Sequence, residues 1–147
     1  MYEAKVSSSV QPALPMQISA IRAVIVDDSA PYLEALWSLM EFENLIDVIG
    51  AAMSGVDAVK AVSELDPDLI LMDVHMRPMS GPAAALVIAE MYPRTKVILM
   101  SSEDTQQVRA ECMSCGAHSF VSKANLMKEL PAAIDQLGLR GSRATTH

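Results

Sequence analysis

Acidic residues and one lysine stand at the ends of apolar segments, where their side chains can act together. Asp27 and Asp28 follow the apolar run that begins at Ile21, Asp73 ends a second run, and Lys123 follows a third. If these runs are parallel strands, their carboxyl ends meet at one edge of the sheet, where open α/β folds bind ligands. Three carboxylates at one edge would repel one another. The pattern therefore predicts a divalent cation there, most simply Mg²⁺, which prefers oxygen ligands.

The elements that position these residues follow from the alternation of apolar runs and helical periods after residue 20. Strands are predicted near 21–27, 46–53, 69–73, 96–101 and 118–122. Helices are predicted near 30–43, 55–65, 81–91, 104–115 and 124–138. The strands read as nearly unbroken apolar runs, which is typical of a parallel sheet covered on both faces. The predicted fold class is α/β, a doubly wound (βα)5 domain with a five-stranded parallel sheet.

Local signals set the limits of several helices. Ser54, with an acid three residues later, resembles a capping box at the start of the second helix. Gly116 and Gly138 stand where the fourth and fifth helices should end. Pro131 is expected to start the main part of the fifth helix, after a looser turn at 125–130.

Composition limits the classes of protein that the chain can represent. Its 147 residues carry a net charge of −7, which argues against a nucleic-acid surface. Two cysteines are too few for a secreted disulfide framework, and no segment resembles a signal peptide or a membrane span. We expect a cytoplasmic protein with one domain at 21–138, a flexible leader at 1–20 and a solvated tail at 139–147.

The residues at successive strand ends, Asp27-Asp28, Asp73, Ser101 and Lys123, together resemble a response-regulator receiver domain. The resemblance covers residues 21–138 and implies the flavodoxin-like strand order 2-1-3-4-5. The segment from Phe120 to Ala124 is most similar to receivers of the NarL-like branch, which normally continue into a DNA-binding domain.

The resemblance implies a phosphorylation site. Asp73 would be the phosphoacceptor, and its carboxylate would attack a phosphohistidine on a histidine kinase or a histidine phosphotransfer protein. Asp28 would bind Mg²⁺ directly, Asp27 mostly through water, and His75 through its backbone carbonyl. Lys123 would supply a second positive charge to the phosphoryl group.

The resemblance also implies a switch that reports phosphorylation to an unknown target protein. Ser101 would hydrogen-bond a phosphoryl oxygen and draw the following loop inward. Phe120 occupies the aromatic switch position, although a strand aromatic is more often simply a core residue. We hypothesise that the His75 side chain tunes the lifetime of the phosphorylated state. A homodimer through the helix four–strand five–helix five face, or through helices one and five, is expected by analogy alone.

The loops beside the site depart from the usual receiver pattern. The common Met-Pro after the acceptor is here Met76-Arg77, with proline delayed to Pro78. Ser80 replaces an acid that usually precedes the glycine. Ala124 replaces the proline that often follows the lysine, so a cis peptide bond at that position is in question.

Three functions remain open from the sequence. The first is a stand-alone receiver, not an enzyme, that accepts a phosphoryl group and signals by protein contacts; a receiver fragment of a DNA-binding regulator is a variant of it. The second is a pseudo-receiver that binds partners without phosphorylation. The third is an aspartate-nucleophile phosphatase, which expects a second acid where the chain has His75.

Cys112, Cys115 and His118 invite a zinc or redox interpretation. A structural zinc needs a fourth ligand, and a thioredoxin-type pair needs a helix N-terminus, whereas this pair falls late in a predicted helix. Two partly buried helix cysteines are the expectation.

Overall fold

The computed structural model describes residues 20–139, which form one five-stranded parallel sheet covered by helices. The strands are β1 (Arg22–Val26), β2 (Asp47–Ala52), β3 (Leu69–Asp73), β4 (Lys96–Ser101) and β5 (Ser119–Ser122). Their order is β2-β1-β3-β4-β5, and every neighbouring pair is parallel. The predicted fold class and strand order are confirmed.

Five α-helices connect and follow the strands. They are α1 (Ala30–Glu43), α2 (Gly55–Leu65), α3 (Gly81–Met91), α4 (Gln106–Ser114) and α5 (Leu126–Gln136). Ser29, Ser54, Ser80 and Thr105 cap the first four helices, each by accepting a backbone N–H bond on its hydroxyl oxygen. Gly116 and Gly138, both with positive φ, follow α4 and α5 as predicted.

Two apolar cores lie on opposite faces of the sheet. On one face, α1 and α5 pack over side chains such as Ile25 and Leu71. On the other, α2, α3 and α4 pack over the alternate side chains, such as Val26 and Met72. Because neighbouring strand residues point to opposite faces, each central strand must be apolar throughout. The buried strands therefore hold the polar strand-end residues in fixed positions.

Helix four lies near its predicted range, and it begins at Gln106 because the Thr105 hydroxyl accepts the Val108 N–H. The prediction for the fifth helix needs correction. Pro131 does not start the main part of α5 but lies inside it. Leu126 and Leu130 are buried before Pro131, so their packing holds a regular helical turn where a loose turn was expected. A short 3₁₀ turn, Lys123–Asn125, precedes α5.

Within residues 20–139, no helix is long and apolar enough to cross a membrane. The predicted leader and tail lie outside the described residues, except for Ala20 and Leu139.

Candidate functional site

Three carboxylates meet at the carboxyl edge of the sheet. Val26 pairs with Met72 in the register of β1 and β3, so the next residues, Asp27 and Asp73, lie side by side. Asp27 and Asp73 are 1% and 6% exposed, whereas Asp28 is exposed. One oxygen from each of the three acids falls within 4.8 Å of the others. This spacing fits a metal ion with oxygen ligands, and it brings together the acids that the strand ends predicted.

Lys123 joins the same cluster from the end of β5. Its ammonium donates to Asp27 Oδ2 at 2.6 Å and lies 3.0 Å from Asp73 Oδ1. Burial acts to lower the pKa of Lys123, but the hydrogen bonds to the two carboxylates outweigh it and the net pKa is raised. Burial raises the pKa of Asp73, although Lys123 acts in the opposite direction. The Lys123 side chain therefore supplies a positive charge beside the buried Asp27 and Asp73.

Asp27 also fixes the start of the first helix. Its Oδ1 accepts the Ser29 N–H at 2.9 Å, and the Ser29 hydroxyl in turn accepts the Tyr32 N–H at 3.2 Å. These bonds order the loop that carries Asp28 past the sheet edge. They also place the Tyr32 ring against the Lys123 ammonium, with 4.2 Å between the nitrogen and the ring centroid.

The loop after Asp73 folds back on itself before α3. The Gly81 N–H donates to the Val74 carbonyl at 2.9 Å, and the Val74 N–H donates to the Met100 carbonyl. A Cβ on Gly81 would collide with the Asp73 carbonyl oxygen. Glycine at this position is thus required by the close approach of α3 to the site.

The cis peptide bond within residues 20–139 is Arg77–Pro78, so the Lys123–Ala124 bond is trans. The open question about a cis bond after the lysine is thereby answered.

Ser101 ends β4 and is fully buried. Its hydroxyl oxygen accepts the Glu103 N–H at 2.9 Å, which ties the side chain to the loop before α4. Because a hydroxyl can accept and donate at once, its own hydrogen remains available to an incoming acceptor.

His75 and Glu103 face each other at the solvent side of the site. Their side chains are 60% and 56% exposed, and His75 Nε2 lies 3.3 Å from Glu103 Oε1. The pair joins the loop after Asp73 to the loop after Ser101.

Phe120 is 7% exposed and lies in the core on the α4 side of the sheet. The Arg109 guanidinium covers its ring at 4.6 Å from the centroid. Arg109 also makes a two-point ion pair with Asp104, at 2.6 and 3.1 Å, and lies 3.8 Å from Glu129. Glu129 accepts the Ser122 N–H at 2.9 Å. Helix α4, strand β5 and helix α5 are therefore linked around Phe120.

The cysteine and histidine group is separate from this site. Cys112 is buried in α4, and Cys115 is half-buried at its end, as expected for core cysteines. Burial raises the pKa of Cys112 to about 11, which keeps it a thiol. His118 Nδ1 accepts the Val97 N–H at 3.0 Å.

Sequence reasoning missed Tyr32, Glu103 and Arg109. Tyr32 stands in the first helical turn after the acid pair, and Glu103 stands two residues after Ser101. Their closeness in sequence to predicted site residues could have indicated that both lie near the site. Arg109 had no such signal, because its partners come from a loop, a strand and a helix.

Comparison with known proteins agrees with this geometry. The family model of the response regulator receiver domain matches residues 23–135. The chain therefore belongs to the response regulator receiver family, and the resemblance predicted from the strand-end residues is confirmed. Proteins of this family act in two-component signalling and are characteristically phosphorylated on aspartate.

Two curated relatives illustrate the range of proteins that carry such a domain. Residues of this chain are 34% identical over 116 positions to the response regulator protein VraR of Staphylococcus saprophyticus, covering 78% of the chain and 54% of the relative. They are 32% identical over 134 positions to a protein-glutamate methylesterase/protein-glutamine glutaminase of Bacillus subtilis, covering 84% of the chain and 37% of the relative. The chain thus spans about one-third to one-half the length of these two relatives.

Solved structures show the same fold. The response regulator domain of Thermotoga maritima CheB matches with a TM-score of 0.71 and 30% identity, over 80% of this chain and 95% of that one. The CheX–CheY–BeF3–Mg²⁺ complex from Borrelia burgdorferi matches with a TM-score of 0.69 and 23% identity, over 78% and 89% of the two chains. The second likeness supports the fold alone.

Proposed function

We propose that this protein is a phosphorylation-dependent signalling receiver in which Asp73 accepts the phosphoryl group. The observation that carries the proposal is the position of the Asp73 carboxylate. It lies at the carboxyl edge of the sheet, 3.0 Å from the Lys123 ammonium and within one oxygen cluster with Asp27 and Asp28. A nucleophilic carboxylate needs positive charge around the incoming phosphoryl oxygens, which Lys123 supplies and a bound Mg²⁺ would supplement.

The oxygen cluster suits Mg²⁺, since its donors are carboxylates. Asp28 is exposed and is the proposed direct ligand, together with Asp73 and the His75 carbonyl. Asp27 has one oxygen on Lys123 and one on Ser29, which supports its proposed contact through water. When bound, Mg²⁺ would neutralise charge on the transferring phosphoryl group.

The chain's own residues carry out the rest of the transfer. An Asp73 oxygen forms a bond to phosphorus while the bond from phosphorus to the donor breaks, and the donor's leaving group departs on the opposite side. Lys123 stabilises the added negative charge, and its flexible side chain can follow the phosphoryl group. The Ser101 hydroxyl, whose hydrogen is available, donates to a phosphoryl oxygen and draws the loop of Glu103 with it.

His75 and Glu103 are proposed to set the lifetime of the aspartyl phosphate. Both side chains are exposed at the solvent face of the site, from which water must approach. His75→Ala should change the dephosphorylation rate. Glu103→Gln keeps the shape of the side chain but removes its charge, so it shows whether the effect depends on the Glu103 carboxylate or on the imidazole itself. Equal dephosphorylation rates in all three proteins would remove this role.

The proposed readout is the surface built from α4, β5 and α5. Movement of the Ser101 loop would change the packing of Phe120, and so the face on which a target protein binds. Receiver domains interact with histidine kinases or phosphotransfer proteins and with other proteins. We propose a histidine kinase or histidine phosphotransfer protein as the donor, an unidentified protein as the target, and a homodimer as an alternative use of the same face.

The function should require no turnover of a separate substrate, so the chain is proposed to be a phosphoacceptor rather than an enzyme. Incubation with acetyl phosphate and Mg²⁺, followed by intact-mass measurement, tests the proposal. We expect one phosphoryl adduct in the wild type and none in Asp73→Ala or with EDTA. A folded protein that binds Mg²⁺ but takes no phosphoryl group from acetyl phosphate or from a phosphohistidine donor would contradict it and favour a phosphorylation-independent binding module.

A further inference from the structure

The Lys123 ammonium has a third contact besides its two carboxylates. The Tyr32 ring covers it, with 4.2 Å between Nζ and the ring centroid. A cation over an aromatic face is attracted by the ring quadrupole, and the attraction grows as both groups lose solvent. Lys123 has 18% of its side chain exposed, so this contact is made in a partly dry setting.

The ring is held in place by the same acid that holds the ammonium. Asp27 Oδ1 accepts the Ser29 N–H, and Ser29 caps α1 by accepting the Tyr32 N–H. The second Asp27 oxygen binds Lys123. The Asp27 carboxylate therefore fixes the position of the Lys123 ammonium and also the first turn of α1, which carries the Tyr32 ring.

The ring also borders an open cleft. A cavity of about 420 Å³ lies between α1 and the start of α5, and its wall includes Tyr32, Lys123, Leu39 and Met127. Lys123 already borders this cleft, and loss of the ring would expose more of its side chain to it. A smaller aliphatic side chain at position 32 would therefore admit water to the ammonium.

We propose that Tyr32 is a positioning residue that keeps the Lys123 ammonium directed at Asp73 during phosphoryl transfer. The proposal rests on the proposed function, since it assigns Lys123 to the phosphoryl group. Asp73 loses its free carboxylate when it becomes phosphorylated, so its contact with Lys123 changes during the reaction. The Tyr32 ring face does not change, so it supplies, together with Asp27, a constant restraint on Lys123.

The first experiment measures the exposure of Lys123 and needs no phosphorylation. The folded protein is treated briefly with acetic anhydride, and acylation of Lys123 is compared with that of exposed Lys60 by peptide mass spectrometry. In Tyr32→Leu, Lys123 should react roughly threefold to tenfold faster relative to Lys60, whereas Tyr32→Phe, which keeps the ring, should match the wild type. Unchanged Lys123 reactivity in Tyr32→Leu, or an equal rise in Tyr32→Phe, would overturn the proposal.

Circular dichroism and the Lys60 reactivity verify that each variant is folded. If Tyr32→Leu does not fold, Tyr32→Met serves in its place, because its unbranched side chain fits irregular gaps.

The second experiment measures the rate of acetyl phosphate labelling in the same proteins. Tyr32→Leu should be labelled severalfold more slowly and Tyr32→Phe at the wild-type rate. Equal rates in all three would overturn the role in transfer even if the contact with Lys123 is real. If the wild type takes no phosphoryl group at all, the proposed function is contradicted instead. The acylation experiment would still test whether the Tyr32 ring shields Lys123.

Discussion

Asp27 shows how a single side chain fixes several parts of this site. Its two oxygens accept from Ser29 and from Lys123, so it anchors a helix start and a cation together. Asp28 is exposed next to it, and Asp73 lies on the neighbouring strand. We infer that Asp27 mainly maintains the geometry, while Asp28 and Asp73 offer oxygens to the metal and the phosphoryl group.

His118 provides a pH-dependent test at the residue scale. Burial lowers its pKa below 6.5, and its Nδ1 accepts the Val97 N–H, so protonation would remove an acceptor inside the fold. Because the folded-state pKa is the lower one, the unfolded state binds more protons as the pH falls through 6.5. The stabilisation is present above about pH 6.5 and is lost as the pH falls through the folded-state value.

Urea unfolding of the wild type and His118→Gln between pH 5 and 8 measures this effect. The free energy of unfolding should fall toward acid pH less steeply in His118→Gln, whose amide oxygen can still accept a bond. Parallel slopes in the wild type and His118→Gln would show that His118 is not the responsible group.

Gly81 tests the close approach of α3 to Asp73. Gly81→Ala would press a methyl group against the Asp73 carbonyl, and overpacking of this kind costs roughly 1–3 kcal/mol. The variant should be less stable and should accept the phosphoryl group more slowly. Gly138→Ala is the matched control: its φ of +76° makes alanine strained, but among residues 20–139 no atom beyond its chain neighbours lies within 4 Å of the added carbon. A Gly81→Ala protein labelled at the wild-type rate would contradict the account.

At the scale of elements, Arg109 connects α4 to the Asp104 loop, to Phe120 and to Glu129. Its pKa is raised by the hydrogen bond to Asp104, and the pKa of Asp104 is lowered by the same bond. The ion pair is partly exposed, so its contribution to stability should be small. Its larger effect should be on the packing of the Phe120 ring.

Arg109→Gln should shift the aromatic NMR signals of Phe120 while changing the unfolding midpoint little. The chain contains two phenylalanines, and Phe42, which is 83% exposed, is the internal control. Phosphorylation of the wild type should also shift the Phe120 signals and leave those of Phe42 in place. If neither treatment moves the Phe120 signals, the ring is a fixed core residue and not part of a switch.

The boundaries of the elements show where sequence reasoning succeeds and where it stops. Helices α1, α2 and α3 begin and end as predicted, because serine caps and apolar periods mark them locally. The start of α5 was mispredicted, because the rule for proline is local whereas Leu126 and Leu130 are held by packing against the sheet.

The same limit applies to the site. The meeting of Asp27, Asp73 and Lys123 followed from parallel strands alone. The contacts of Tyr32 with Lys123 and of Arg109 with Phe120 depend on side-chain directions across separate elements, which no spacing in the sequence specifies.

At the scale of the whole molecule, two cores share one sheet, so they should unfold together. Ile88 lies in one core and Ile134 in the other, and both are fully buried. Ile88→Val and Ile134→Val should each cost about 0.5–1.5 kcal/mol. The control Val56→Ala, at a 54% exposed position, should cost less.

Trp37, the single tryptophan, packs against the core that contains Ile134. In each isoleucine variant, Trp37 fluorescence and far-UV circular dichroism should therefore report the same shift in the urea midpoint. If Ile88→Val leaves the fluorescence midpoint unchanged, the cores on the two faces of the sheet unfold separately.

Chemical mapping of the phosphoryl group tests the central claim most directly. After labelling with acetyl phosphate and Mg²⁺, borohydride reduces an aspartyl phosphate to homoserine, which peptide mass spectrometry assigns to a residue. We predict homoserine at position 73, and none in samples that contain EDTA. Homoserine at position 27 or 28, or a stable phosphoryl adduct that gives no homoserine, would contradict the assignment of Asp73 as the acceptor.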